Sequence, residues 1–127
     1  MTNIVDIAIP PDAGAITFGV ACPASPQALS GIVWRYTTTQ QPDGKCGEIT
    51  PATPSVPLGS PGTIAGRYFV LEGAVLKLGS DGPIPYQVIV SLRGSNGTAF
   101  HQEVPQDGGV GTVDKESSPF QYSFHAV

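Results

Sequence analysis

Two short stretches of the chain set an arginine against aromatic side chains, Trp34-Arg35-Tyr36 and Gly66-Arg67-Tyr68. An aromatic ring offers a flat apolar surface, and a guanidinium offers a planar fork of donors. Faces that bind sugars or other proteins combine the two. The segment around Asp43 and Lys45 adds one charge of each sign close by in sequence. Trp34, Arg35, Tyr36, Asp43, Lys45, Arg67 and Tyr68 are therefore the candidate contact residues. A simpler reading of the same residues turns Trp34 and Tyr36 into the core and leaves each arginine to solubilise the opposite strand face.

The remaining reactive side chains form weaker patterns. His101-Gln102-Glu103 sets two metal-ligand types on one strand face, but His125 is the only other histidine and no Cys-x-x-Cys pair occurs. Solvated strand residues explain them more simply. Cys22 precedes a proline at the end of an apolar strand face, which reads as a small buried hydrophobe rather than a nucleophile. Asp107, Asp114 and Glu116 could gather round Ca²⁺, yet their spacing fits no calcium loop, and a charged turn accounts for them. Gly108-Gly109-Val110-Gly111 lacks the helix signal that a phosphate-cradling loop needs, and no Gly-x-Ser-x-Gly elbow is present. Asn96-Gly97-Thr98 matches a glycosylation sequon but reads first as a hairpin turn. The expectation is a protein without catalytic residues, metal or cofactor.

The elements that would position these residues are strands. Residues 3 to 9 alternate and stop at Pro10-Pro11; Ile16, Phe18, Val20 and Cys22 share one face of a second run. Residues 31 to 39 form a third strand rich in β-branched and aromatic types, closed by a Pro42-Asp43-Gly44 turn with a short return strand over residues 46 to 50. Residues 51 to 62 hold four prolines and read as an extended loop or edge packed along the body. Residues 64 to 78 form one long strand or a pair bent near Gly73, and Gly79-Ser80-Asp81-Gly82 is the next turn. Tyr86, Val88, Val90 and Leu92 show the clearest period of two and mark a central strand. Asn96-Gly97 predicts a type I′ hairpin to a strand over residues 99 to 104. A short strand includes Val113, and the last sets Phe120, Tyr122, Phe124 and Ala126 on one face.

About eight or nine short strands, evenly punctuated and with no helical period, describe an all-β protein: a single-domain antiparallel β-sandwich over residues 1–127, immunoglobulin-like or jelly-roll. The composition agrees, with 16 Gly and 13 Pro among 127 residues. Only 13% of residues are charged, so Thr, Ser, Gln, Gly and Pro must cover much of the surface. A net charge of −4, with the six Lys and Arg scattered singly, argues against nucleic acid and against anionic membrane surfaces. No apolar run is long enough for membrane insertion. The first residues lack a signal-peptide pattern, so synthesis in the cytoplasm with later release or assembly is expected, and Cys22 and Cys46 start out reduced.

The function that fits is a non-enzymatic binding module recognising a carbohydrate or protein partner through strand faces and loops. The alternative is a structural subunit or decoration protein of a larger homo-oligomeric assembly, where low surface charge limits repulsion between copies.

Overall fold

The computed structural model describes residues 3–23, 27–77, 82–106, 108–114 and 116–127. Eleven strands appear among them: β1 Val5–Ile7, β2 Ile16–Ala21, β3 Gln27–Tyr36, β4 Pro42–Ile49, β5 Ser55–Gly59, β6 Tyr68–Lys77, β7 Ile84–Gln87, β8 Ile89–Arg93, β9 Ala99–Glu103, β10 Val110–Val113 and β11 Ser117–Ala126. One four-residue helix, α1 Pro61–Ile64, interrupts them. Three of the sequence expectations fall wholly or partly outside the described residues: the turn at Gly79-Ser80-Asp81, the end of the sixth strand at Leu78, and the Asp107 member of the carboxylate group.

A five-stranded sheet runs β1-β11-β6-β3-β4 and a four-stranded sheet runs β5-β2-β8-β9. Strands β7 and β10 pair separately. The Val88 N–H donates to the Gly109 carbonyl at 2.7 Å, so the β7–β10 pair prolongs the β8–β9 edge of the smaller sheet. Every pairing is antiparallel except β1 with β11. The two large sheets face each other in the manner of a β-sandwich. Their inner rows interlock: the Phe18 ring of β2 lies 6.2 Å from Tyr122 and 5.8 Å from Phe124 of β11, and Phe69 of β6 stacks on Phe124 at 5.1 Å. Leu29, Val33, Leu71 and Val75 fill the same layer from one side, Val20, Val90 and Leu92 from the other. Each of these large side chains contributes about 1.5–3 kcal/mol by leaving water.

Several local expectations are corrected. Pro42-Asp43-Gly44 does not turn but opens β4; the chain reverses over residues 37 to 41. Because β4 is an edge strand, Pro42 costs it no ladder donor. The proline-rich stretch takes the edge alternative of its reading rather than the loop. It supplies β5, which pairs with β2 at the sheet edge and buries Val56, and then α1, which begins with Pro61 in its first turn. Gly73 marks no bend: β6 runs through it, paired with Gly31 of β3. The Asn96-Gly97 hairpin is not type I′, since only Gly97 has positive φ, +81°. The Asn96 side chain instead accepts from the Thr98 N–H at 2.9 Å, and a register shift after Leu92 absorbs the extra residue.

Candidate functional site

The alternation of β3 puts Leu29 and Val33 in the core and Ile32, Trp34 and Tyr36 on the opposite face. This overturns the simpler reading, in which Trp34 and Tyr36 point inward. The inner layer already holds Phe69, Leu71, Tyr122 and Phe124, and Val33 is the side chain of β3 that fits against them. Trp34 and Tyr36 are half-buried on the outer surface of the five-stranded sheet.

Register then assembles the site, because directly paired residues in a ladder project from the same face. Tyr36 pairs with Tyr68, Tyr68 with His125, and His125 with Asp6, so one row crosses four strands. The Tyr68 and His125 rings stack with centroids 4.2 Å apart and planes 11° from parallel, and His125 Nδ1 lies 3.2 Å from Asp6 Oδ1. In the adjacent row Lys45 pairs with Trp34, Trp34 with Val70 and Val70 with Ser123. Val70 and Ser123 are each 1% exposed although they face away from the core, so the larger side chains around them form a continuous cover. The next row holds Glu48, Ile32, Glu72 and Gln121.

A polar cluster closes one end of this face. Arg35 has the inward parity of Val33, but it is the last residue but one of β3, and its guanidinium reaches past the core to Asp43, with Nε 2.9 Å from Oδ1. Thr37 donates to the other Asp43 oxygen, and Arg67 Nη1 donates to Thr37 Oγ1 at 3.0 Å. Asp43 raises the Arg35 pKa by its hydrogen bond and its charge. Lys45 Nζ lies 2.6 Å from Glu48 Oε1 and holds the Glu48 carboxyl below its ordinary value. These pairs are exposed, so they orient side chains more than they stabilise the fold.

All seven candidate contacts thus lie at one end of one sheet. Trp34, Tyr36, Tyr68 and Lys45 share its outer face; Arg35, Asp43 and Arg67 are linked through Thr37 at the border. His125 belongs to the same row and was missed, because in sequence it is one polar residue among those alternating with the core side chains of β11. Chemically the patch combines apolar rings with fixed donors and acceptors, the requirements for stacking against a sugar ring or a partner's side chains.

Elsewhere the structure corrects the reading of His101 and Glu103 as solvated. They pair with Leu92 and Val90, whose side chains are in the core, so both face inward from edge strand β9, with His101 Nε2 2.8 Å from Glu103 Oε2. Burial, followed by the Glu103 charge, pushes the Tyr122 hydroxyl pKa well up. Cys22 and Cys46 are free thiols, and burial raises both pKa values. Among the described residues no three of His, Cys, Asp and Glu gather closely enough to hold a metal ion. No described helix is long and apolar enough to cross a membrane. No protein family, curated protein or solved structure matches the chain at a significant level.

Proposed function

We propose that this protein is a non-enzymatic binding module that receives a carbohydrate or protein partner on the outer face of its five-stranded sheet. The observation that supports this reading is the outward placement of Trp34, Tyr36 and Tyr68 as one patch beside the Arg35–Asp43–Thr37–Arg67 cluster. Large aromatic side chains held half-exposed on a rigid sheet lose little conformational entropy on binding, and the charged border supplies orientation. Glycan arrays and pull-downs with the intact protein test it. Trp34→Ala and Tyr68→Ala are expected to abolish capture while the melting transition is kept, and capture that survives both substitutions removes the site.

A second reading, a subunit of a homo-oligomeric assembly, draws on Ile4, Val104, Val110 and Val127. These are the exposed large hydrophobic side chains among the described residues, and each could add apolar area to a contact between copies. Sedimentation at high concentration separates the readings, since a strict monomer counts against assembly.

A further inference from the structure

The five-stranded sheet carries an open stretch of strand edge beside β1. Strand β11 is ten residues long, but β1 accompanies it over three positions only, Val5 with Phe124 to Ile7 with Ala126. Asn3, just ahead of β1, has a left-handed φ of +51°. Beside residues 117–121 the side of β11 away from β6 has no strand partner among the described residues.

The direction of the backbone groups along this edge follows from the flanking bonds. The Val127 N–H donates to the Ile7 carbonyl at 2.9 Å and the Val127 carbonyl accepts from Ile9 N–H at 3.0 Å, so Val127 addresses β1. Ala126 addresses the other side, donating to Arg67 and accepting from Gly66. Strand alternation therefore points the backbone groups of Ser117, Pro119 and Gln121 toward the open lane and those of Ser123 toward the head of β1. Pro119 fits this assignment: it pairs with Ala74 of β6 inside a continuous ladder, which a residue without an N–H tolerates only if that position faces away from β6.

A cleft of about 740 Å³ lies along this edge. Gln121, Tyr122 and Ser123 form one bank, Glu103, Pro105, Gln106 and Gly108 of the interrupted β9–β10 edge form the other, and residues 3–5 close its head. Tyr122 and Ser123 are buried in the cleft wall, and the Tyr122 hydroxyl lies close enough to the Glu103 carboxylate to interact with it. The cleft holds the Glu103 carboxylate and no described Lys or Arg.

We propose that this edge is a docking lane for an extended peptide segment of another protein, which adds to β11 as a parallel strand in line with β1 and sets a basic or hydroxyl side chain against Glu103 and Tyr122. An extended chain is the ligand whose alternating N–H and C=O groups match the Gln121 amide and the Pro119 and Gln121 carbonyls at strand spacing. That β1 already occupies the same lane in parallel register shows that the lane accepts a strand of this direction. The Glu103 carboxylate at the floor, which also faces His101, favours a basic or hydroxyl side chain on the inward side of the docked strand, because a donor there adds to its hydrogen bonds. Pro119 removes one donor from the edge, which discourages indiscriminate strand pairing and confines docking to the stretch around Gln121.

Phage-displayed random peptides of about seven residues, enough to span the open edge at ~3.3 Å per residue, provide the probe. Selected peptides are expected to shift the amide resonances of Gln121 and Ser123 in the labelled intact protein, and to carry Lys, Arg, Ser or Thr at alternate positions. Gln121→Pro tests the lane directly. Its N–H faces away from β6, as the Pro119 nitrogen does, so the fold keeps its ladder while the peptide loses a donor and meets a ring; affinity should fall roughly tenfold or more. Gln106→Trp, on an exposed bank residue, fills the lane without touching the ladder and should give the same loss. Trp34→Ala should leave peptide affinity unchanged, so failure here and failure of the aromatic-face reading are separable. The proposal is overturned if no peptide is selected, if affinity is indifferent to both lane variants, if the cleft takes a free sugar but no peptide, or if the lane variants dissolve a homodimer instead.

Discussion

Gly73→Ala would strike the closest approach between two strands of the large sheet. A Cβ at this position would press into the Ser30 carbonyl oxygen and lie 2.7 Å from Gly31 Cα and 2.9 Å from the Ser30 carbonyl carbon. All three are backbone atoms of β3, so no rotamer change relieves the contact. The partner glycine is equally confined, since a Cβ on Gly31 would sit 2.5 Å from the Glu72 carbonyl oxygen. Ordinary contact needs β3 and β6 to move apart by about 1 Å, which strains the ladder on either side. Overpacking of this kind costs about 1–3 kcal/mol, and each weakened ladder bond adds about 1 kcal/mol. A total near 4 kcal/mol is a large part of the ~5–15 kcal/mol that stabilises a domain, and corresponds to a fall in Tm of roughly 15 °C. Urea and thermal denaturation followed by circular dichroism measure it, with Gly62→Ala as the comparison, because nothing lies within 4 Å of a Cβ there. Gly62→Ala should stay within about 1 kcal/mol of the parent. If Gly73→Ala also does, the close crossing of β3 and β6 is wrong.

Three further outcomes follow from the same structure. Phe18→Ala removes the ring that touches both Tyr122 and Phe124 across the sheets and should cost about 3–5 kcal/mol in urea denaturation; a loss under about 1 kcal/mol would mean the sheets do not interlock there. Burial holds Cys22 and Cys46 above the ordinary thiol pKa, so both should react with a disulfide reagent near pH 7.5 more slowly than a free cysteine and reach its rate in denaturant. Fast labelling of either in the folded protein would contradict that. Glu48 has its carboxyl pKa lowered by Lys45, so the pairing is fully present above the ordinary carboxylate pKa and is lost as pH falls through the lowered value. An NMR titration should find the Glu48 midpoint lower in the parent than in Lys45→Ala; equal midpoints would remove the pair.

The alternating runs around Phe18, Val90 and Phe124 were legible because a half-buried strand must repeat every two residues. The same signal failed at β3, where Ile32, Trp34 and Tyr36 on one face compete with Leu29 and Val33 on the other. Period alone reports that two faces exist; the neighbouring strands decide which one is covered. Residues 51 to 62 were legible only as a loop or an edge, for a related reason. Proline lowers strand propensity, yet an edge strand such as β5 has one row of backbone groups that no ladder uses, and Pro57 is tolerated there. Pro42-Asp43-Gly44 carries sound turn chemistry, but Asp43 is held by Arg35 and Thr37, which places the reversal earlier. The candidate contacts were visible as residue types. Their convergence, with His125 joining Tyr68, depends on pairings between β3, β6 and β11 that link residues up to 57 positions apart and leave no local trace.

The central claim is that the aromatic side chains of β3 face outward instead of filling the core. Trp34 is the single tryptophan, so acrylamide quenching of its fluorescence reports on that side chain alone. In the folded protein, substantial quenching is expected, only moderately increased by denaturant. Emission that resists acrylamide until the protein unfolds would put Trp34 in the core and contradict the account.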